Sequence, residues 1–581
     1  MIKTLAKSIR EYKKDSIKTP IYVSLEVIIE CFIPFLIASL VNDIKAGTSI
    51  SHLVYQGIFL VILAGISLTL GTLSGYACAS ASCGFAKNLR KDMYYNIQNF
   101  SFANIDRFST SSLVTRLTTD VTNVQMAYMM IIRTAVRGPI MIVFAFVMAY
   151  IMGGKMAFVY LFTAPVLGLG LFFVMRKTIP IFKRVFKKYD NLNSSIQENV
   201  KGIRVVKAFV REDYEMSKFE NAATSVTADF TKAERILAWN SPIMQFCIYF
   251  MMIFVLTVGS YTVITSRGMD LDVGQMSALL TYSMMILNSL MMLSMVFVMI
   301  TMADESSHRI VEVLNEKTTI DENVDGIKDV QDGSIDFVDV NFAYSSHAKK
   351  MALSDVNLHI DSGQTVGIVG GTGSSKTTLV QLIARLYDVT SGSVKVAGID
   401  VKEYNLDALR DQVSMVLQKN VLFSGTIKDN LRWGNENATD EEMQEACKLA
   451  QADEFISRFP EGYDTYIEQG GTNVSGGQKQ RLCIARALLK KPKILILDDS
   501  TSAVDTKTDA LIRQGFEKFI PDTTKIIIAQ RIASVEDSDL IIVMDKGKVH
   551  ATGTHEQLLA NNELYQEIYY SQNKKGEVLD A

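Results

Sequence analysis

Residues 366–378 read Val-Gly-Ile-Val-Gly-Gly-Thr-Gly-Ser-Ser-Lys-Thr-Thr, and this stretch decides the fold of the C-terminal half. Residues 366–369 form a short apolar run of strand type, and it passes directly into a glycine-rich turn. The apolar helical segment Leu-Val-Gln-Leu-Ile-Ala-Arg-Leu-Tyr follows at 379–387. A tight turn between strand and helix aims backbone N–H groups and the helix N-terminus at an anion, so it cradles phosphates. The nucleotide contacts expected here are Gly370, Gly371, Thr372, Gly373, Ser374, Ser375, Lys376, Thr377 and Thr378. Among them Lys376 reaches the β- and γ-phosphates and the Thr377 hydroxyl binds Mg²⁺. One residue departs from the usual pattern: Ser375 stands where glycine usually precedes the lysine, and its side chain narrows the turn.

Further along, Ile494-Leu-Ile-Leu497 is a fully apolar strand ending in Asp498 and Asp499. A strand-end carboxylate of this kind serves a magnesium ion, so Asp498 joins Thr377 as a candidate metal ligand. Between the two motifs lies Val474, Ser475, Gly476, Gly477 and Gln478, followed by Lys479-Gln480-Arg481 and a helix. A serine–glycine turn at a helix start is a second anion site. One phosphate-binding chain does not need two such sites, whereas two copies facing head to tail do. Beyond about residue 330 short β-branched runs alternate with helices, as a parallel α/β fold requires.

Toward the N-terminus the character changes. The chain of 581 residues is 48% hydrophobic, with a mean hydropathy of +0.17. Six stretches near 20–41, 53–82, 126–151, 156–175, 241–265 and 274–302 reach the roughly 20 apolar residues needed to span a bilayer. The second and sixth are longer than a span requires, which implies tilt or continuation into water. Basic residues gather in the N-terminal segment (Lys3, Lys7, Arg10, Lys13, Lys14, Lys18), in 83–125 and in 176–240. The short connections 42–52, 152–155 and 266–273 hold one cation each, Lys45, Lys155 and Arg267. The long basic connections and both termini are therefore expected in the cytoplasm. Within 1–16, Leu5, Ile9 and Tyr12 share a helical face, as in a helix lying at the interface.

Arg133 and Arg137 lie one turn apart in the third span, either facing an aqueous cavity or partner or snorkelling to headgroups. In the sixth span Met285, Asn288, Met292, Met295, Met299 and Met302 recur at helical spacing. Such a stripe suits a cavity for varied amphipathic compounds, and a packing or lipid-facing stripe is the competing reading. The net charge of −3 offers no bulk basic field for nucleic acid. Six cysteines without metal spacing (Cys31, Cys78, Cys83, Cys247, Cys447, Cys483) read as buried free thiols. The long basic N-terminus does not read as a cleavable signal peptide.

Taken together, these motifs resemble the ATP-binding-cassette (ABC) superfamily over nearly the whole chain, specifically exporters carrying both domains on one chain. Val-Ser-Gly-Gly-Gln at 474–478 is similar to the family signature that contacts the partner's nucleotide. Residues 494–505 resemble the Walker B motif and D-loop, ending at Asp505. The resemblance places Gln418 in the Q-loop, sensing magnesium and the membrane domain, and Tyr344 where an aromatic ring stacks on adenine. It also likens 111–121 and 198–212 to the two intracellular loops whose short helices dock on ATPase domains.

Two residues depart from the family's chemistry. Its general base, a glutamate, is Asp499 here, and its switch histidine is Gln530. An aspartate carboxylate retreats by roughly 1 Å, and misplacement of that size costs about 100-fold. General-base catalysis is worth about 10²–10⁴-fold, so the barrier rises by roughly 3–5 kcal/mol. Asp499, Gln530 and Gln418 are thus the catalytic candidates of a slow site, with Mg²⁺ held by Thr377, Gln418 and Asp498.

The expected fold is an all-α six-helix transmembrane domain joined to an α/β P-loop NTPase, the ABC ATPase domain. Its parts are an elbow helix at 1–16, the membrane domain at 17–310, a linker at 311–329 and the ATPase at 330–581. The resemblance implies ATP and Mg²⁺ as cofactors and a multi-pass place in the cell membrane, against membrane lipid. It further implies a second half-transporter completing a heterodimer that exports small amphipathic compounds. Competing readings are a homodimer tolerating two conservative exchanges, a regulator or channel, and an importer.

Overall fold

The computed structural model describes residues 1–345, 348, 350–499 and 505–577. The chain divides into two units, one comprising Met1–Asn99 and Phe108–Glu316 and the other Phe100–Arg107 and Lys317–Ala581.

The first unit is helical. Helices Lys13–Lys45, Ile50–Gln98, Val121–Ile132 with Thr134–Gly153, Phe158–Lys201, Asn240–Thr265 and Val273–Asn315 carry the six expected spans. The third and fourth belong to one long helical run, Thr110–Lys201. That run breaks at Gly154, whose φ of +54° suits a residue without Cβ. The helices of 49, 44 and 43 residues exceed the roughly 20 residues of a span. Two buried phenols among these helices are matched, as an apolar surrounding requires: Tyr282 Oη donates to Cys31 O at 2.8 Å and Tyr160 Oη to Leu279 O at 2.7 Å. Arg137 is also paired, reaching Glu26 at 2.8 Å and Glu30 at 2.6 Å on the first span.

Three expectations about this unit need correction. The N-terminal elbow is not one helix over 1–16. It consists of Ile2–Ala6 and a 3₁₀ stretch Lys7–Tyr12 kinked at Arg10, φ +42°. Ser8 and Arg10 both bind Asp92, at 2.7 and 2.6 Å, and helix resumes at Lys13. The linker does not begin at 311, because the last span runs to Asn315 and Asn96 Nδ2 binds the carbonyls of Val313 and Glu316. The cysteines are free, but Cys83 is exposed while the other five are buried.

The second unit is built on strands. A four-stranded antiparallel sheet contains β1 (Ile335–Phe342), β2 (Leu353–Ile360), β4 (Ser391–Val396) and β5 (Ile399–Asp400), in the order β2-β1-β4-β5. The larger sheet contains β3 (Thr365–Gly370), β6 (Val413–Val416), β7 (Ile494–Asp498), β8 (Thr524–Ile528), β9 (Leu540–Asp545) and β10 (Lys548–Gly553). Its order is β10-β9-β3-β8-β7-β6, parallel throughout except for β10 at the edge. Both faces of a parallel sheet are covered, so its strands are apolar throughout; β7 and β8 are buried along their whole length.

The segment Phe100–Arg107 belongs with this second unit. Asn104 Oδ1 accepts from the Ser101 and Thr319 amides at 3.1 and 3.2 Å, and its Nδ2 donates to Lys317 O at 3.0 Å. The stretch 111–121 belongs to the first unit and is tied to its last helix. Arg116 binds Glu312 at 2.8 Å, and Asp120, fully buried, accepts from Arg309 Nε at 2.8 Å and Ser306 at 2.9 Å.

Candidate active site

Topology alone gathers the chemistry. In the order β3-β8-β7-β6, Ile528 pairs with Ile368 on one side and Asp498 on the other, and Val416 pairs with Leu497. Four neighbouring strands therefore end together, and each is followed by a site residue. The glycine-rich turn follows β3, Gln530 follows β8, Asp498 ends β7 with Asp499 next, and Gln418 follows β6. Ligands of open α/β sheets bind in such crevices at the carboxyl ends of strands.

The turn leaves β3 at Gly370, where a Cβ would overlap the carbonyl oxygen of Met544. Gly373 has φ +80° and, unlike it, Ser375 holds a left-handed conformation with a side chain, φ +71° and ψ +28°. This is the conformation that the expected glycine would adopt without cost, and in an L-residue it costs roughly 1–2 kcal/mol. Ser375 precedes the helix Lys376–Ile383. Lys376 Nζ lies over the turn, donating to Gly370 O at 2.8 Å, Gly371 O at 2.9 Å and Ser374 Oγ at 3.4 Å. Burial pulls its ammonium below the ordinary lysine pKa, against the opposing pull of Asp498 and Asp499.

Thr377 Oγ1 donates to Asp498 Oδ1 at 3.0 Å. Asp498 is only 2% exposed, and its Oδ2 has no hydrogen-bond partner among the described residues. Burial raises its carboxyl above the ordinary carboxylate range; the neighbouring Asp499 adds to this, while the Thr377 bond and Lys376 oppose it. A buried acceptor lacking a donor, beside a hydroxyl, fits a hard cation that takes oxygen ligands. Thr377 and Asp498 therefore suit Mg²⁺. Gln418 turns its Nε2 to Asp499 Oδ2 at 3.5 Å.

Asp499 has φ +50°, and its N–H is bound to Ile528 O at 3.1 Å. Gln530 Nε2 donates to Asp499 Oδ2 at 2.7 Å. Thus the two residues that depart from the family pattern are hydrogen-bonded to each other. Two further contacts escaped sequence reasoning. Gln480 Nε2 holds the Asp499 carbonyl at 3.2 Å, and Gln572 of the Glu563–Glu577 helix holds the backbone beside Gln530. Gln480 stands two residues beyond the serine–glycine turn and could have been suspected; Gln572 carries no local signal.

Tyr344 offers a half-exposed ring, with its hydroxyl 2.8 Å from Thr378 Oγ1. Its ring meets Tyr387 edge-on at 5.2 Å, and Tyr387 Oη donates to Asp106 Oδ2 at 2.7 Å. Burial raises the phenol pKa of Tyr344, and that of Tyr387, beside Asp106, still more. Ser475 caps the helix Gly476–Leu488: its Oγ accepts from Gln478 N at 3.3 Å, and Gln478 Oε1 accepts from Ser475 N at 2.8 Å. Ser475 and Gly476 are exposed, with Val474 and Gly477 half-buried. Asp505 caps Thr506–Phe519 through Thr508, which holds its carboxyl below the ordinary range. The D-loop residues 500–504 lie outside the described residues.

The methionine stripe lies in the first unit. Asn288, Met292, Met295 and Met302 are exposed, Met299 is half-buried, and Met285 packs against the membrane-domain core.

A membrane-helix unit and a nucleotide-type sheet on one chain define a class of energy-coupled membrane protein, and comparison with known proteins names the family. Residues 21–290 match the ABC transporter transmembrane region and residues 353–502 the ABC transporter ATPase family. The chain is 37% identical to the uncharacterized ABC transporter ATP-binding protein YfiB of Bacillus subtilis, over 94% of each chain. It is 31% identical to the ATP-dependent lipid A-core flippase of Pectobacterium atrosepticum, over 88% of each. Its fold is similar to that of a bacterial Atm1-family ABC exporter with ATP bound, with a TM-score of 0.83 and 22% identity, covering 96% of this chain and 99% of the other. The chain belongs to the ABC transporter family, its transmembrane region and ATPase fused in one polypeptide. As such it is a multi-pass membrane protein whose ATPase domain binds ATP, normally with Mg²⁺.

Proposed function

We propose that this chain is one half of a heterodimeric exporter that uses ATP to move small amphipathic or lipophilic compounds out across the cell membrane. In this reading its own nucleotide site is slow. The observation that carries the proposal is the Asp499 carboxylate, one methylene short of the family's base and tied to Gln530 at 2.7 Å. An aspartate is one methylene shorter and reaches less far toward an attacking water, and glutamine cannot become cationic as histidine can. The rest of the site serves binding. Lys376 and the turn amides take the phosphates, Thr377, Asp498 and Gln418 take the metal, and Tyr344 takes adenine. Mg²⁺ bound there would offset the charge shared by the β- and γ-phosphate oxygens.

The signature is intact, with Ser475 and Gln478 locked in their capping box, and it serves the nucleotide of the partner. A good signature beside a weakened base makes sense when the other half supplies the fast site. Both termini and the ATPase lie in the cytoplasm, as the cation asymmetry of the loops requires. The stripe of Met285, Asn288, Met292, Met295 and Met299 lines the path of the transported compound.

The test uses inside-out vesicles containing the chain and the half-transporter encoded beside it. Accumulation of a lipophilic fluorescent probe on ATP addition supports export. ATP hydrolysis without accumulation supports a regulator or channel instead. Full turnover by this chain alone supports the homodimer.

A further inference from the structure

The last helix reaches back to the candidate active site through one side chain. Gln572 is half-buried and uses both ends of its amide. Its Nε2 donates to Gln530 O at 2.9 Å, and its Oε1 accepts the Ile532 N–H at 2.9 Å. Gln530 itself is exposed and lies outside regular structure, whereas Ile532, two residues on, is 2% exposed. By taking the Gln530 carbonyl and the Ile532 N–H, Gln572 brackets Arg531 and fixes the peptide that leaves Gln530, and with it the backbone from which the Gln530 side chain projects. That side chain is the one bonded to Asp499.

The helix is well placed to act as a fixed support. Tyr565 is fully buried, its hydroxyl 2.7 Å from His555 Nδ1, and its N–H bound to Asn562 Oδ1 at 2.9 Å. Ile568 and Tyr569 pack against the same core as the strand-end loops. Residues 565, 568, 569 and 572 follow the i, i+3, i+4, i+7 spacing of one helical face. The face that buries Tyr565 thus also presents Gln572 to the 530–532 backbone.

We propose that Gln572 is a positioning residue for this chain's nucleotide site: it fixes how Gln530 addresses Asp499, and so sets the rate at which this site hydrolyses ATP. The proposal rests on reading Lys376, Asp498 and Asp499 as that site. Two ordinary hydrogen bonds together shift the held geometry about ten-fold or more.

The experiment uses the full-length chain in nanodiscs, with single-turnover hydrolysis of γ-labelled Mg·ATP, binding of Mg·TNP-ATP, and hydrogen exchange of a peptide spanning Ile532. Gln572→Ala should speed exchange at Ile532 and slow the chemical step, each about ten-fold, with TNP-ATP affinity within two-fold of the parent. Gln572→Glu keeps the acceptor for Ile532 and should restore slow exchange more than it restores rate. Gln566→Ala removes a bond from the same helix to Leu559 O (2.7 Å), so it should match any loss of thermal stability without slowing hydrolysis. Faster exchange with an unchanged rate, unchanged exchange, or equal slowing by Gln566→Ala would overturn the positioning role. Lys376→Ala and Asp499→Asn test the underlying reading separately. If neither alters TNP-ATP binding or the chemical step, the site itself is misassigned; if they do and Gln572→Ala does not, only the positioning role fails.

Discussion

Asp499 is the residue on which the proposed chemistry of the nucleotide site turns. It is held in a left-handed backbone conformation, its carbonyl by Gln480 and its carboxylate by Gln530. Restoring both family residues tests whether reach and charge limit the rate. Asp499→Glu with Gln530→His should raise hydrolysis by the purified chain about 10- to 100-fold, read as phosphate release, since roughly 1 Å of misplacement costs about that much. No gain would place the limit elsewhere. Ser375 raises a separate question of backbone conformation. Its φ of +71° is strained for any residue with a side chain, so Ser375→Gly should stabilise the ATPase unit by about 1 kcal/mol. That corresponds to roughly 2–4 °C in the unfolding midpoint of a domain of this size, read by scanning fluorimetry. A lower midpoint would show that Ser375 is supported by contacts that glycine loses.

Individual elements show what the sequence could and could not reveal. The glycine-rich turn, the apolar strand ending in Asp498 and the serine–glycine turn were legible, because each is a strand–turn–helix pattern complete within about a dozen residues. The long apolar spans were legible for the same reason, since length and hydropathy are local properties. What joins distant elements was not legible. Arg137 was visible as an anomaly, but its partners Glu26 and Glu30 lie more than a hundred residues earlier. Among the loop segments, the pairing of Asp120 with Arg309 and of Arg116 with Glu312 was equally hidden. The segment 100–107 belongs with the ATPase unit, and there Asp106 meets Tyr387, which meets Tyr344. This series of contacts joins the ring proposed to stack on adenine to a segment inserted in sequence between two parts of the membrane unit. Tyr387→Phe removes a hydrogen bond to a carboxylate, a contact worth about 1.5–3 kcal/mol. Transport per ATP hydrolysed should fall several-fold in vesicles while basal hydrolysis is kept. An unchanged ratio would make the contact merely structural.

At the scale of the whole molecule, orientation and asymmetry are the two claims that matter. Cysteines introduced at Ser49 and Asp270, in the cation-poor connections, should react with impermeant thiol reagents added to intact cells; labelling only after permeabilisation would reverse the topology. The proposed asymmetry rests on a division of labour within one chain. In the proposed reading its Walker residues serve its own slow site, and its signature serves the partner's fast one. Mutations in the two should therefore have crossed consequences. The most direct measurement is the steady-state ATPase rate of the assembled pair carrying either Ser475→Arg or Asp499→Asn. Ser475→Arg places a bulky cation at the exposed cap of the Gly476–Leu488 helix and should nearly abolish turnover. Asp499→Asn should leave most of it, because little hydrolysis passes through that carboxylate. If Asp499→Asn abolished turnover as fully as Ser475→Arg, or if the lone chain turned over as fast as the pair, the asymmetric account would be contradicted.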